Sequence, residues 1–181
     1  PINPVAFSVF GLPIRWYALA YIAGFIIGYY LFRYLTRKDD AQIHFSKKQY
    51  DDILTYIVLG VIIGGRLGYV LFYNFSYFIS HPLEIFAVWN GGMSFHGGII
   101  GVIIAAFLFA YVQKFSDKSW WQNGLRVLDL LAVVVPIGLG LGRIANFINM
   151  EVMGRATNSP LGVIFVGHNN IPRHPSPLYE A

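Results

Sequence analysis

The 181 residues contain no cysteine. That excludes a disulfide framework, a thiolate metal site and a cysteine nucleophile from this chain, so any thiol in its chemistry belongs to a partner. Charge is scarce too: Asp, Glu, Lys and Arg make up 12% of the chain against 56% hydrophobic residues, about half the ~25% charged fraction of a soluble domain. This implies an integral membrane protein. The basic residues are too scattered to form a nucleic-acid patch, so the net charge of +4 bears on orientation in the bilayer and not on nucleic acid. No glycine-rich phosphate loop, Ser/His/Asp order or paired-carboxylate signature is present. His44, His81, His168 and His174 show no metal-ligand spacing, and no metal or other cofactor is expected. The N-terminus lacks a basic region and a small-residue cleavage site, so the first membrane helix is expected to serve as the targeting signal.

Apolar runs set the order of elements. Residues 1–15 alternate apolar and turn residues around Phe10, Gly11, Leu12 and Pro13 and read as a short hairpin or arm at the membrane surface. The first span is expected over residues 16–35, with tyrosines and Trp16 at its ends as interfacial belts. A charged loop over 36–52 leads to a second span, 53–73, with Arg66 inside it. After a loop over 74–82, the apolar patch 83–89 is too short to cross and reads as interfacial or re-entrant. A third span over 97–112, a basic loop over 114–126 and a fourth span over 127–148 follow, the last containing Pro136. Residues 149–174 are polar and punctuated by glycine and proline, with one strand-like run over 161–166. The fold class is therefore an all-α polytopic membrane protein: four transmembrane helices, the start of a fifth, and short outer-face strands or arms. Residues 1–181 read as one integral-membrane domain, truncated at its C-terminus.

Arg33, Arg37, Lys38, Lys47 and Lys48 flank the first loop, and Lys114, Lys118 and Arg126 lie in the third, whereas the segment between spans two and three has no Lys or Arg. The positive-inside rule makes those two basic loops cytoplasmic and the N-terminus external. Tyr17, His96 and residues 146–155 then fall toward the outer face. Glycines repeat at helical spacing: Gly24 and Gly28; Gly60, Gly64 and Gly68; Gly97 and Gly101; Gly138 and Gly142. Such faces let helices approach closely.

Polar groups follow directly on the most apolar run. Arg143 and Asn146 are three residues apart and share a helix face. An arginine fork with an amide holds a phosphate or carboxylate from several directions; the alternative is an arginine snorkelling from a helix end. His96 precedes Gly97 and Gly98, where the backbone is open to close approach and an imidazole takes a proton near neutral pH, unless it is a structural hydrogen-bonder. Arg66 either contacts ligand or pairs with Glu151 or Asp129. Tyr17 and Tyr21 present hydroxyls to a head group or anchor the interface. Glu151 and Glu180 lie outside the fourth span, each orienting a base or simply solvated.

Four blocks carry a resemblance: residues 64–74 (GGRLGYVLFYN), 89–98 (WNGGMSFHGG), 142–151 (GRIANFINME) and 173–180 (RHPSPLYE). In this order and across almost the whole chain they closely resemble bacterial prolipoprotein diacylglyceryl transferases. The resemblance implies a multi-pass enzyme of the bacterial cytoplasmic (inner) membrane. It moves diacylglycerol from phosphatidylglycerol to the lipobox cysteine of a prolipoprotein signal peptide, giving a thioether and glycerol phosphate. It further implies that Arg143 is the family's signature arginine, with Asn146, Glu151 and Gly154 in the same block, that His96 is the histidine of its His-Gly-Gly motif and that Tyr17 is the tyrosine of its Trp-Tyr motif. His96, Arg143 and Tyr17 are the expected catalytic groups. Arg143, Asn146, Glu151, Gly154, Arg66, Gly97 and Gly98 are the expected substrate contacts. Family members continue beyond the Tyr-Glu block with further helices and another arginine. The rival reading is a small membrane transporter or lipid-binding protein with Arg143 and Arg66 lining a substrate path.

Overall fold

A computed structural model describes residues 3–37, 45–113, 116, 118–165 and 170–181. His44, His168, Lys38 and Lys114 lie outside the described residues. The expected hairpin is present: β1 (Val5–Val9) pairs antiparallel with β2 (Leu12–Arg15), Phe7 opposite Ile14 and Ser8 opposite Pro13. Its two-residue turn places Phe10 at φ 49° and Gly11 at φ 83°, the left-handed geometry that matches the twist of a tight hairpin. The Trp16 amide donates to the Pro4 carbonyl at 3.1 Å, so the hairpin runs straight into the first long helix.

Four helices are long and apolar enough to cross a membrane: α1 (Trp16–Arg37), α2 (Lys47–Phe72), α4 (Phe95–Gln113) and α5 (Trp120–Ile148). At about 1.5 Å per residue even the shortest approaches the ~30 Å bilayer core. Ile22, Ile26, Ile99, Ile104, Leu108 and Val133 are exposed on them, an apolar exterior suited to lipid and unsuited to water.

Two helices begin earlier than the apolar runs imply. The charged segment 47–52 is helical, and so are residues 120–126; neither belongs to a loop. The physical reason is the same at both starts. Gln49 N–H donates to Ser46 Oγ while Ser46 N–H donates to Gln49 Oε1, at 3.3 and 2.8 Å. Ser119 and Gln122 make the same reciprocal pair, both at 3.3 Å. Each is a capping box that satisfies helix N–H groups ahead of the apolar stretch.

Between α2 and α4, part of the expected loop 74–82 is a short helix, α3 (Phe75–Ser80). The patch expected to be interfacial forms two 3-10 turns, Pro82–Phe86 and Val88–Asn90. Tyr77 donates its phenol to Glu84 Oε2 at 2.8 Å, and that hydrogen bond raises the Tyr77 pKa above the usual tyrosine value. In the strand-like run, only Val163 bridges, to Arg173, and Val166 lies outside the described residues. A last short helix, α6 (Ser176–Tyr179), opens at Ser176.

The chain divides into two compact units, residues 1–32 with 132–181 and residues 33–131. In the second, α2 and α4 meet backbone to backbone: a Cβ on Gly101 would strike the Gly60 carbonyl, and one on Gly97 the Gly64 carbonyl. Ala105, Ala106 and Phe109 continue this buried seam. In the first unit, a Cβ on Gly24 would lie 3.2 Å from the Gly138 Cα and one on Gly28 2.9 Å from Val134. The glycine spacing thus marks close contacts, although a Cβ on Gly138 or Gly142 would itself meet nothing.

Candidate active site

The last turns of α5 place Arg143 and Asn146 on one face, and the helix ends at Ile148. The chain then doubles back. Met150 and Val152 take positive φ, 58° and 54°, a conformation that is costly for a β-branched valine. Between them the Glu151 amide donates to the Asn146 carbonyl at 2.9 Å. Its carboxylate accepts from Asn146 Nδ2 at 3.0 Å and from Asn149 Nδ2 at 3.4 Å.

Arg143 Nη2 lies 2.9 Å from Glu180 Oε2, with the two side chains 40% and 46% exposed. From α1, Tyr17 is within electrostatic reach of both Glu151 and Arg143. Its hydroxyl is 3.0 Å from that of Tyr21, one turn further along. The first unit therefore gathers a cation, two carboxylates, two amides and a pair of phenols at one place. Among the described residues the cation is held by a single, partly exposed ion pair, worth about 1 kcal/mol or less.

Gly154 has a structural reason of its own. Its amide donates to the His174 carbonyl at 3.0 Å, its carbonyl accepts from Arg173 Nη1 at 3.2 Å, and a Cβ would collide with Ser176 Oγ and the His174 carbonyl. Only glycine lets these two backbone segments approach so closely.

The second unit holds the remaining expected residues. Arg66 is 5% exposed and makes no ion pair with Asp129 among the described residues. Instead Nε donates to the Ile85 carbonyl at 2.8 Å, Nη2 to Glu84 at 2.6 Å, and Nη1 to Gly91 and Gly92 at 2.5 and 3.2 Å. Phe78 covers the guanidinium 5.1 Å away. Backbone carbonyls of a folded loop thus occupy the guanidinium, in place of either a ligand or a carboxylate, and Arg66 pins that loop to α2.

His96 stands exposed in the first turn of α4, with no hydrogen bond among the described residues and its ring beside Phe95. The buried Ser94 fixes that turn, its Oγ accepting from the Gly97 amide at 3.1 Å. Gly97 is filled by α2, whereas a Cβ on Gly98 would meet nothing nearer than the Val61 carbonyl at 3.9 Å. Asn149, which carries no role in the sequence reading, joins this site through Glu151. The signal available for it was the Asn-x-x-Asn-x-Glu spacing over 146–151.

Residues 4–181 match the family model described as prolipoprotein diacylglyceryl transferase. The chain is 50% identical over 180 residues to the phosphatidylglycerol–prolipoprotein diacylglyceryl transferase of Rickettsia felis, covering 99% of this chain and 66% of that protein. It is 49% identical over 181 residues to the protein of that name from Geobacter sulfurreducens, with coverage of 99% and 66%. For the one from Nitrosospira multiformis the identity is 50% over 179 residues and the coverage 99% and 59%. The chain thus spans just under two thirds of the length of these relatives. By the extent of the family match, this chain belongs to the prolipoprotein diacylglyceryl transferase family.

Proposed function

We propose that the protein to which this chain belongs transfers the diacylglyceryl group of phosphatidylglycerol to the lipobox cysteine of a prolipoprotein. The observation that carries the reading is the pairing of a replaceable anion on Arg143 with a fixed carboxylate at Glu151. The first suits the phosphate of the lipid and the second its neutral, hydroxyl-bearing head group.

The cysteine thiol loses its proton to His96, and its sulfur bonds to the glycerol carbon that carried the phosphate. The carbon–oxygen bond breaks, its electron pair stays on the phosphate oxygen, and glycerol phosphate departs. Arg143, aided by Asn146, binds the phosphate and meets the charge growing on that oxygen, the role in which fixed donors contribute most. His96 suits its part because its imidazole is exposed and uncommitted among the described residues. Thiols have a pKa near ~8.5, so few are ionised at neutral pH without a base. Tyr17 and Glu151 position the head group. Gly97 and Gly154 serve through close backbone approach within the protein, Gly98 leaves its backbone open to substrate, and Arg66 serves through the loop that it holds.

The reading puts the reaction at the outer leaflet of the bacterial cytoplasmic membrane, where exported signal peptides arrive. The transporter reading loses its second arginine, because Arg66 spends its donors on carbonyls. The test is mass spectrometry of a lipobox peptide incubated with phosphatidylglycerol and the full-length protein. A diacylglyceryl adduct is expected. Passage of lipid or solute across a vesicle membrane without an adduct would overturn the assignment.

A further inference from the structure

We infer that Asn149 is a positioning residue for Glu151, and that the Asn146 and Asn149 amides, one on each carboxylate oxygen, fix where that carboxylate points. The inference rests on the transferase reading of this same site. Asn146 Nδ2 serves Oε2 and Asn149 Nδ2 serves Oε1. An asparagine donates only from nitrogen, so turning the Asn149 amide over would set oxygen against oxygen. Its orientation is therefore dictated by Glu151.

That orientation has a cost. Asn149 Oδ1 is buried and accepts from no donor among the described residues. Burying an acceptor without a partner is unfavourable, and an asparagine that merely ended α5 would turn its oxygen toward a donor. The backbone strain lies at the same place, Met150 and Val152 standing at positive φ on either side of Glu151. Two independent local costs are thus borne around one carboxylate. The groups facing it are Asn146 from α5, Asn149 from the turn and, through the field, Tyr17 from α1, while Arg143 engages Glu180.

The experiment compares wild type, Asn149→Asp and Asn149→Ala in the full-length protein, following transfer to a lipobox peptide from phosphatidylglycerol across pH. Asn149→Asp keeps the shape and replaces the donor by a second carboxylate, which repels Glu151 unless the two share a proton. At neutral pH it is expected to be slower by about tenfold or more, the scale of one hydrogen bond to a charged group. Its rate relative to wild type is expected to climb as the pH falls. Asn149→Ala is expected to lose kcat similarly at all pH values while keeping its melting temperature. A constant ratio of Asn149→Asp to wild type across pH overturns the inference even if the alanine variant does not fold, and so does an alanine variant of undiminished kcat. Wild type that transfers nothing overturns the transferase reading instead.

Discussion

Replacing Arg143 by alanine separates a phosphate clamp from a structural anchor, because the two roles predict effects of different size. As a structural element Arg143 offers one ion pair with Glu180 at 2.9 Å, both side chains about two fifths exposed or more. Exposed pairs of this kind contribute about 0.2–1 kcal/mol. Arg143→Ala should therefore lower the melting temperature of the solubilised full-length protein by no more than about 4 °C. As a fixed donor to the departing phosphate oxygen its loss should slow transfer about 10²–10³-fold, or roughly 2.7–4 kcal/mol.

Lysine should fall between, since it keeps the charge and loses the planar fork. Glu180→Gln releases Arg143 without removing it, so the KM for phosphatidylglycerol should drop by up to about fivefold, the equivalent of the ion pair that substrate no longer displaces. The assay is the mass shift of a lipobox peptide, with melting measured on the same samples. Near-normal turnover in Arg143→Ala, or an activity loss that follows unfolding, would refute the clamp. So would a Glu180→Gln variant as slow as Arg143→Ala.

Arg66→Met should leave the Glu84, Ile85, Gly91 and Gly92 carbonyls without their donor, costing about 1–3 kcal/mol for each that water cannot reach and loosening the loop, as proteolysis of the α2–α4 connection would report. Gly101→Val should separate α2 from α4 because its side chain would strike the Gly60 carbonyl, with a loss of about 1–3 kcal/mol in thermal unfolding. Gly98→Ala, with its nearest neighbour at 3.9 Å, should melt like wild type. His96→Gln should slow transfer chiefly near neutral pH and recover partly as the pH approaches the ~8.5 at which a free thiol ionises unaided; an unchanged pH profile would leave His96 a structural residue.

The spans were legible because lipid demands long apolar runs, and the glycines on α2 and α4 announced the seam between those helices. The starts of α2 and α5 lie ahead of the apolar runs for one reason: capping boxes at Ser46 and Ser119 set them, not hydropathy. Arg66 was the opposite case. Its partners are carbonyl oxygens, which every residue carries, so no sequence feature distinguishes them from a ligand or a carboxylate. The return of Glu151 onto Asn146 was equally hidden. It depends on positive φ at Met150 and Val152, residues that do not advertise left-handed geometry as glycine or asparagine would.

Electrostatics sharpens what that turn accomplishes. The C-terminal end of a helix carries partial negative charge, which favours cations and disfavours carboxylates. Arg143 in the last turns of α5 agrees with that field, whereas Glu151, folded back onto the same end, opposes it. An acid there contributes nothing to helix stability and requires two amides, two left-handed residues and an Asn149 oxygen without a donor among the described residues to hold it. Stability alone does not account for such an arrangement. The proposed reading accounts for it: phosphate and a hydroxyl-bearing head group bound side by side would call for a cation and an acceptor that are close together yet do not neutralise each other. Pairing Arg143 with Glu180 and Glu151 with the amides keeps the two charges from engaging each other.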